Sequence, residues 1–252
     1  MRAIAPVYSA FLAAFAFLTR LPVTRAPLRD VELGRSVAVF PAVGIVLGLV
    51  LTGLAFGLAG ILPSFLTAVF LIALLGALTG GIHLDGFADV FDAVGGGRGD
   101  RIRMLEIMRD SRIGAHGAAA LTLLLFAKVL AVGYLVERND LLSLLLFPAI
   151  GRWTVTPLIV FLPYARAEGL GRAFRGNAGP KQVAIAAALA AVPIAIVGLR
   201  MVIPALVATL VVGLFGLWMK RHLGGLTGDV YGAAIELGEL SVLVALLVGR
   251  AG

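Results

Sequence analysis

Three aspartates, Asp85, Asp89 and Asp92, stand at i, i+4 and i+7 in the segment GGIHLDGFADVFDAVGGGRGD. On an α-helix this spacing gathers them within about 60° of one face. Like charges so placed repel one another, and the helix loses stability unless a cation is supplied. Carboxylate oxygens are the preferred ligands of Mg2+ or Mn2+, and a bound ion turns the repulsion into attraction. The run covers roughly 10 Å along the axis, too far for one ion to use all three unaided. Either a second helix contributes a ligand or two ions sit side by side, as in other phosphoryl-transfer sites. A solvated helix face paired with arginines is the plainer alternative. It is weakened by the apolar segment just before the run, because acids beside a membrane are costly.

The residues after the acids point the same way. Gly95, Gly96, Gly97 and Gly99 flank Arg98, a pattern that predicts a loop able to approach a ligand closely and offer N–H groups to an anion. Asp100 is placed to cap a short helix running towards Asp110, with Arg109 and Arg112 near its end. Arginine suits phosphate because its planar fork donates two hydrogen bonds at once. Glycine loops alone are turns as often as phosphate cradles; the weight lies in acids, glycines and arginines within thirty residues. His83, two residues before Asp85, fits proton transfer or metal ligation, and fits equally a histidine bonded to backbone at a helix end. Asp229, in LTGDVYG, enters an apolar helix beside Thr227. Thr227 can serve as its N-cap, which frees Asp229 for the site.

These residues must be positioned by membrane helices. Of 252 residues, 60% are hydrophobic and 14% charged, and the mean hydropathy is +1.04, too apolar for a water-soluble domain of this size. Seven segments approach the length a bilayer demands, about 36–58, 64–82, 115–135, 141–163, 182–199, 202–219 and 231–249. Residues 4–18 form a shorter apolar stretch, read as an interfacial or half-inserted helix rather than a cleaved signal, since no small-residue cleavage site follows. The expected fold is therefore one all-α, polytopic membrane bundle over residues 1–252, with 83–114 as its acidic, glycine-rich active segment. Cysteine is absent, which excludes disulfides, thiolate metal sites and a cysteine nucleophile.

Arg20, Arg25, Arg29 and Arg35 precede the first span, and the loops after spans two, four and six carry eleven more basic residues. The opposite side receives Arg138, Arg200 and Arg250. This asymmetry places the first side in the cytoplasm and makes the net charge of +7 a topology signal rather than a nucleic-acid footprint. Most of the candidate chemistry falls on that same side, as expected of an enzyme working from the cytoplasm and not of a transporter with machinery on both faces. Lys128 and Arg152 lie inside spans, where charge must be paired. Arg152 is the better phosphate contact, while Lys128 pairs with Glu236 or snorkels. Glu236 and Glu239 complete the site from a facing helix or, slightly favoured, pair structurally with Arg152 and Lys128. Asn177, in FRGNAGP, is either a nucleotide contact or part of a turn. Trp153 and Tyr164 suit an aromatic belt.

The segment GGIHLDGFADVFDAVGGGRGDRIRMLEIMRDSRIGAHGAAAL, together with FLTRLPV at 17–23, GRW at 151–153 and LGGLTGDVYGAAIELGE at 223–239, closely resembles the cobalamin synthase family, also called adenosylcobinamide-GDP ribazoletransferases. The resemblance spans essentially the whole chain. It implies a prokaryotic inner-membrane enzyme, dependent on Mg2+, that joins adenosylcobinamide-GDP to α-ribazole or its 5′-phosphate and releases GMP. In that setting Asp85, Asp89 and Asp92 are expected to bind the metal, with Asp229 or Asp110 completing the sphere. Asp89, His83 and Asp85 are the candidates for catalysis. Gly96, Gly97, Arg98, Arg109, Arg112, Arg152 and Asn177 are the candidate substrate contacts. The resemblance leaves room for a homo-oligomer or for association with other cobalamin-assembly enzymes. A CDP-alcohol phosphotransferase is the nearer rival, yet the AR element expected after DG is missing from DGFADVFD. A transporter of anionic metabolites is the more distant one.

Overall fold

In the computed structural model, residues 4–24 and 29–248 are described; Arg25 and Arg250, used above as topology markers, lie outside them. Among the described residues there is no strand, only two isolated bridges. The helices are α1 (Ile4–Leu18), α2 (Asp30–Ser36), α3 (Phe40–Leu58), α4 (Ser64–Thr79), α5 (Ile82–Gly97), α6 (Arg101–Ile107), α7 (Ala115–Glu137), α8 (Leu146–Phe161), α9 (Leu170–Asn177), α10 (Pro180–Val197), α11 (Val202–Leu223) and α12 (Gly228–Val248). Short 3-10 turns lead into α3, α8 and α11. Each of the seven expected spans coincides with one of the long helices.

Six of these helical stretches are long and apolar enough to cross a membrane, and α4, at 16 residues, reaches that length only when it is joined to α5. The α4–α5 pair is bent by 91°. Gly80 and Gly81 both take left-handed φ, 64° and 70°, and the Gly81 N–H reaches back to the Gly76 carbonyl at 2.9 Å. Such a close ends one helix and starts another at an angle. The apolar run therefore stops with α4, and α5, with its three aspartates, turns out of the crossing. Helix α1, at 15 residues, is too short to cross unaided; it packs through Phe15 and Leu18 into the common core.

The bundle is built around α12, whose Ala233, Ala234, Val242 and Leu243 are fully buried and which packs against α5, α7, α8 and α11. The outward faces of α4, α7, α10 and α11 carry exposed apolar residues such as Phe70, Phe126, Ile196 and Leu210. A water-facing surface would not keep so many large apolar side chains; a lipid-facing one does. At one end of the bundle the loops are short, and Arg200 pairs with Asp140 there at 2.7 Å. The other end gathers α2, α5, α6, α9 and the entrance to α12.

Candidate active site

The acidic cluster is made by the crossing of α5 and α12. Gly86 faces the backbone of Asp229, and Gly232 faces the backbone of His83; a Cβ on Gly86 would lie 2.8 Å from the Asp229 carbonyl, closer than packing allows. Two glycines thus let the helices touch main chain to main chain. The contact sets Asp229 of α12 beside Asp85 and Asp89 of α5. Thr227 caps α12 by accepting the Val230 N–H at 3.3 Å, as the sequence led one to expect, and its hydroxyl also donates to Asp229 Oδ2 at 3.2 Å.

A third segment delivers the counter-charge. Leu226 donates its N–H to the Pro163 carbonyl at 2.8 Å, and Ala165 donates to Leu226 at 2.8 Å, lacing the α8–α9 connection to the α11–α12 connection. Arg166 follows directly and reaches Asp229 at 2.7 Å, with a second, longer contact to the Met108 carbonyl. Among the described residues, neither Asp85 nor Asp89 makes an ion pair. Burial, followed by the charges of Asp85, Asp229 and Asp92, pushes the half-buried Asp89 carboxyl up to about 7, against a partial offset from Arg166. Three carboxylates facing one arginine leave an excess of negative charge.

That donor set suits a hard divalent cation: oxygen ligands from two helices, two of them without a protein partner. Among the described residues no three His, Asp or Glu side chains stand close enough together to hold a metal ion as they are placed. The donors are gathered at one crossing, with the Arg166 guanidinium standing against Asp229 as a cation of the protein's own.

Several expected site residues are placed differently. Asp92 is buried, and its oxygens accept the N–H groups of Gly114 at 2.6 Å and Gly117 at 2.8 Å. It caps the start of α7 from 22 residues away, with both oxygens engaged at a helix N-terminus, where the spacing within α5 had placed it with the metal ligands. Gly96 and Gly97 are not a loop but the last turn of α5, so their N–H groups belong to the helix; Arg98, at φ 51°, ends it. Asp100 caps α6 as expected, accepting from Ile102 and Arg103. Asp110 pairs with the exposed Arg112 at 2.6 Å, which holds its carboxyl down at about 2, and neither lines the cluster. Arg98 and Arg109 are exposed at the same end of the molecule. Asn177 closes α9 by donating to the Ala173 carbonyl at 3.0 Å and packs on Gly34.

Arg152 is the clearest correction. It is fully buried and paired with Glu239, so no substrate reaches it. Lys128 is buried too and meets Glu236 at 2.6 Å and Glu239 at 2.5 Å. The four charges tie α7, α8 and α12 together inside the bundle, the structural alternative weighed for Glu236 and Glu239.

A cavity of about 560 Å3 opens beside the cluster, between α1, α5 and α12, and Asp85, Asp229, His83 and Arg20 are in its wall. A larger one of about 670 Å3 lies between α11 and α12 around Ile203, Val207 and Leu240; it holds no carboxylate, so chemistry rather than size selects the site. Arg166 and Tyr231, a second wall residue, were not singled out from the sequence as site residues. Arg166 looked like one more topology arginine, though its place in PYARAEG at a span end was a usable signal. Tyr231 sits two residues past Asp229 in TGDVYG and could have been read with it.

The chain is similar to known proteins along most of its length. The family model described as Cobalamin-5-phosphate synthase matches residues 10–247. A protein of Klebsiella pneumoniae subsp. pneumoniae named adenosylcobinamide-GDP ribazoletransferase is 43% identical over 243 residues, covering 94% of this chain and 98% of that protein. One of the same name from Escherichia coli is 42% identical over 245 residues, with the same coverage. No solved structure matches this one.

Proposed function

This chain belongs to the cobalamin-5-phosphate synthase family, and from that premise we propose that it transfers the cobinamide-phosphate group of adenosylcobinamide-GDP to a ribose hydroxyl of α-ribazole or its 5′-phosphate, releasing GMP. The observation that carries the mechanism is the excess of carboxylate at the α5–α12 crossing, where, among the described residues, Asp85 and Asp89 make no ion pair and Asp229 pairs with Arg166 alone. The substrate's pyrophosphate is an anion, so a cluster of acids can meet it only through a cation.

Asp85, Asp89 and Asp229 would hold Mg2+, which supplies charge neutralisation for the pyrophosphate and the departing GMP. Arg166 then has a second use. Once Asp229 no longer needs its charge, the guanidinium is free to turn onto a phosphate oxygen with a two-pronged contact. The attacking hydroxyl gives its proton to a carboxylate of the cluster. Phosphoryl transfer asks little of that base, so positioning and charge account for most of the rate. The new P–O bond forms as the bond to the GMP oxygen breaks, on the phosphorus that stays with cobinamide.

The basic loops lie at the same end of the bundle as the cluster, which supports a cytoplasmic active site in the inner membrane. Purified protein given Mg2+, adenosylcobinamide-GDP and α-ribazole 5′-phosphate should release GMP and form the cobalamin product in equal amounts. No product with these substrates, together with exchange on CDP-diacylglycerol or vesicle uptake of an anion, would replace this reading.

A further inference from the structure

We propose that the cavity between α1, α5 and α12 is the subsite for the nucleophilic substrate, a ribonucleoside with a planar apolar base, and that His83 and Tyr231 are its polar contacts. The inference rests on the functional reading above and goes beyond it by separating where the two substrates sit. Three observations carry it.

The first is size. At about 560 Å3 the cavity falls in the range of about 300–1,000 Å3 that encloses a small ligand. A nucleoside fits; a corrin macrocycle, several times larger, does not. The second is the wall. Phe17, Leu33, Ile82 and Ile235 make most of it apolar, which suits a flat heterocycle without polar edge groups. His83 is 4% and Tyr231 2% exposed, and among the described residues the two His83 ring nitrogens and the Tyr231 hydroxyl have no hydrogen-bond partner. Polar atoms so buried are normally satisfied, and a ligand's ring nitrogen or hydroxyl supplies the missing partner. The third is the neighbour. Asp85 and Asp229 form the edge of the same cavity, so a nucleoside with its base among the apolar residues presents its ribose to the acidic cluster. Arg20, also in the wall and without an ion pair among the described residues, is placed to take a 5′-phosphate.

The test is equilibrium binding to the purified protein in nanodiscs, without turnover. α-Ribazole, α-ribazole 5′-phosphate and adenosylcobinamide-GDP are measured separately. Tyr231→Phe and His83→Gln should each weaken α-ribazole about fivefold, the loss of one buried hydrogen bond. Leu33→Trp, which fills the apolar part, should weaken it more than about tenfold. Adenosylcobinamide-GDP should bind all three within about twofold of wild type, which also shows that they are folded. Arg20→Met should weaken the 5′-phosphate and leave the nucleoside unchanged. Variants that bind α-ribazole like wild type, or lose both substrates alike, overturn the subsite while the function stands. Wild-type protein that binds neither substrate overturns the functional reading, and the subsite with it.

Discussion

Two groups of ionisable side chains meet α12, one in the middle of the bundle and one at its end, and they are built on opposite rules. Lys128 and Arg152 face Glu236 and Glu239, two cations against two anions, with the Lys128 contacts at 2.5 and 2.6 Å. Nothing is left over except the Arg152 Nε–H. At the end, Asp85, Asp89 and Asp229 face Arg166 alone. Charge is expensive in both places. In the first the protein answers its own charge, and the result is a clasp between three helices. In the second it leaves the answer to something that arrives. Buried charge by itself is therefore no pointer to function in this chain; unbalanced charge is the signal on which the proposed site rests.

The strongest way to break that contrast is to neutralise the open cluster. Asp85→Asn or Asp89→Asn should lower GMP release about a thousandfold, the loss of roughly 4 kcal/mol of charge stabilisation, while thermal stability holds or rises because a repulsion is gone. The closed cluster should respond the other way round. Lys128→Met leaves two buried carboxylates with one arginine between them and should cost about 3–5 kcal/mol in chemical unfolding, with specific activity of the folded enzyme changed by no more than a few-fold.

Arg166 belongs to the open cluster, and Arg166→Gln should reduce turnover about tenfold while lowering the Mg2+ concentration needed for half-saturation, since a competing cation has been removed from Asp229. Acidity probes the same competition. Asp89 is pushed up to about 7 by burial and its acidic neighbours, and a protonated carboxyl is no metal ligand. Lowering the pH from 8 to 6 should therefore raise the Mg2+ requirement by up to about tenfold, and Asp89→Asn should remove most of that slope. The smallest effect separates Asp92 from its neighbours on α5. Asp92→Asn should cost about 1–2 kcal/mol of stability through the cap on α7 and leave the Mg2+ dependence of the reaction unchanged.

Each span was legible from its own residues, and the acidic run from 85–92 alone, because hydropathy and i, i+4 spacing are local signals. The single site was not, because it depends on two helices 140 residues apart in the chain meeting at Gly86 and Gly232. Asp92 shares the helical face of Asp85 and Asp89, yet its fate is decided by where α7 begins, which no spacing within α5 reports. The same holds for Gly96 and Gly97. A run of glycines reads as a loop by propensity, but packing on Met104 and Ile107 carries the helix through them. Arg152 could be read from the sequence either as a phosphate contact or as a structural partner of Glu236 and Glu239; the fold, which brings Glu239 to it from 87 residues away, decides between them.

The account stands on the claim that the α5–α12 cluster is completed by a divalent cation. It is tested most directly by the thermal midpoint of the protein, stripped of metal in nanodiscs, as Mg2+ is added without substrate. A ligand that binds only the folded state raises that midpoint. Wild type and Lys128→Met should both rise with Mg2+, from different starting points, whereas Asp85→Asn and Asp229→Asn should not. A wild-type midpoint indifferent to Mg2+, or an equal rise in Asp85→Asn and Asp229→Asn, would contradict it.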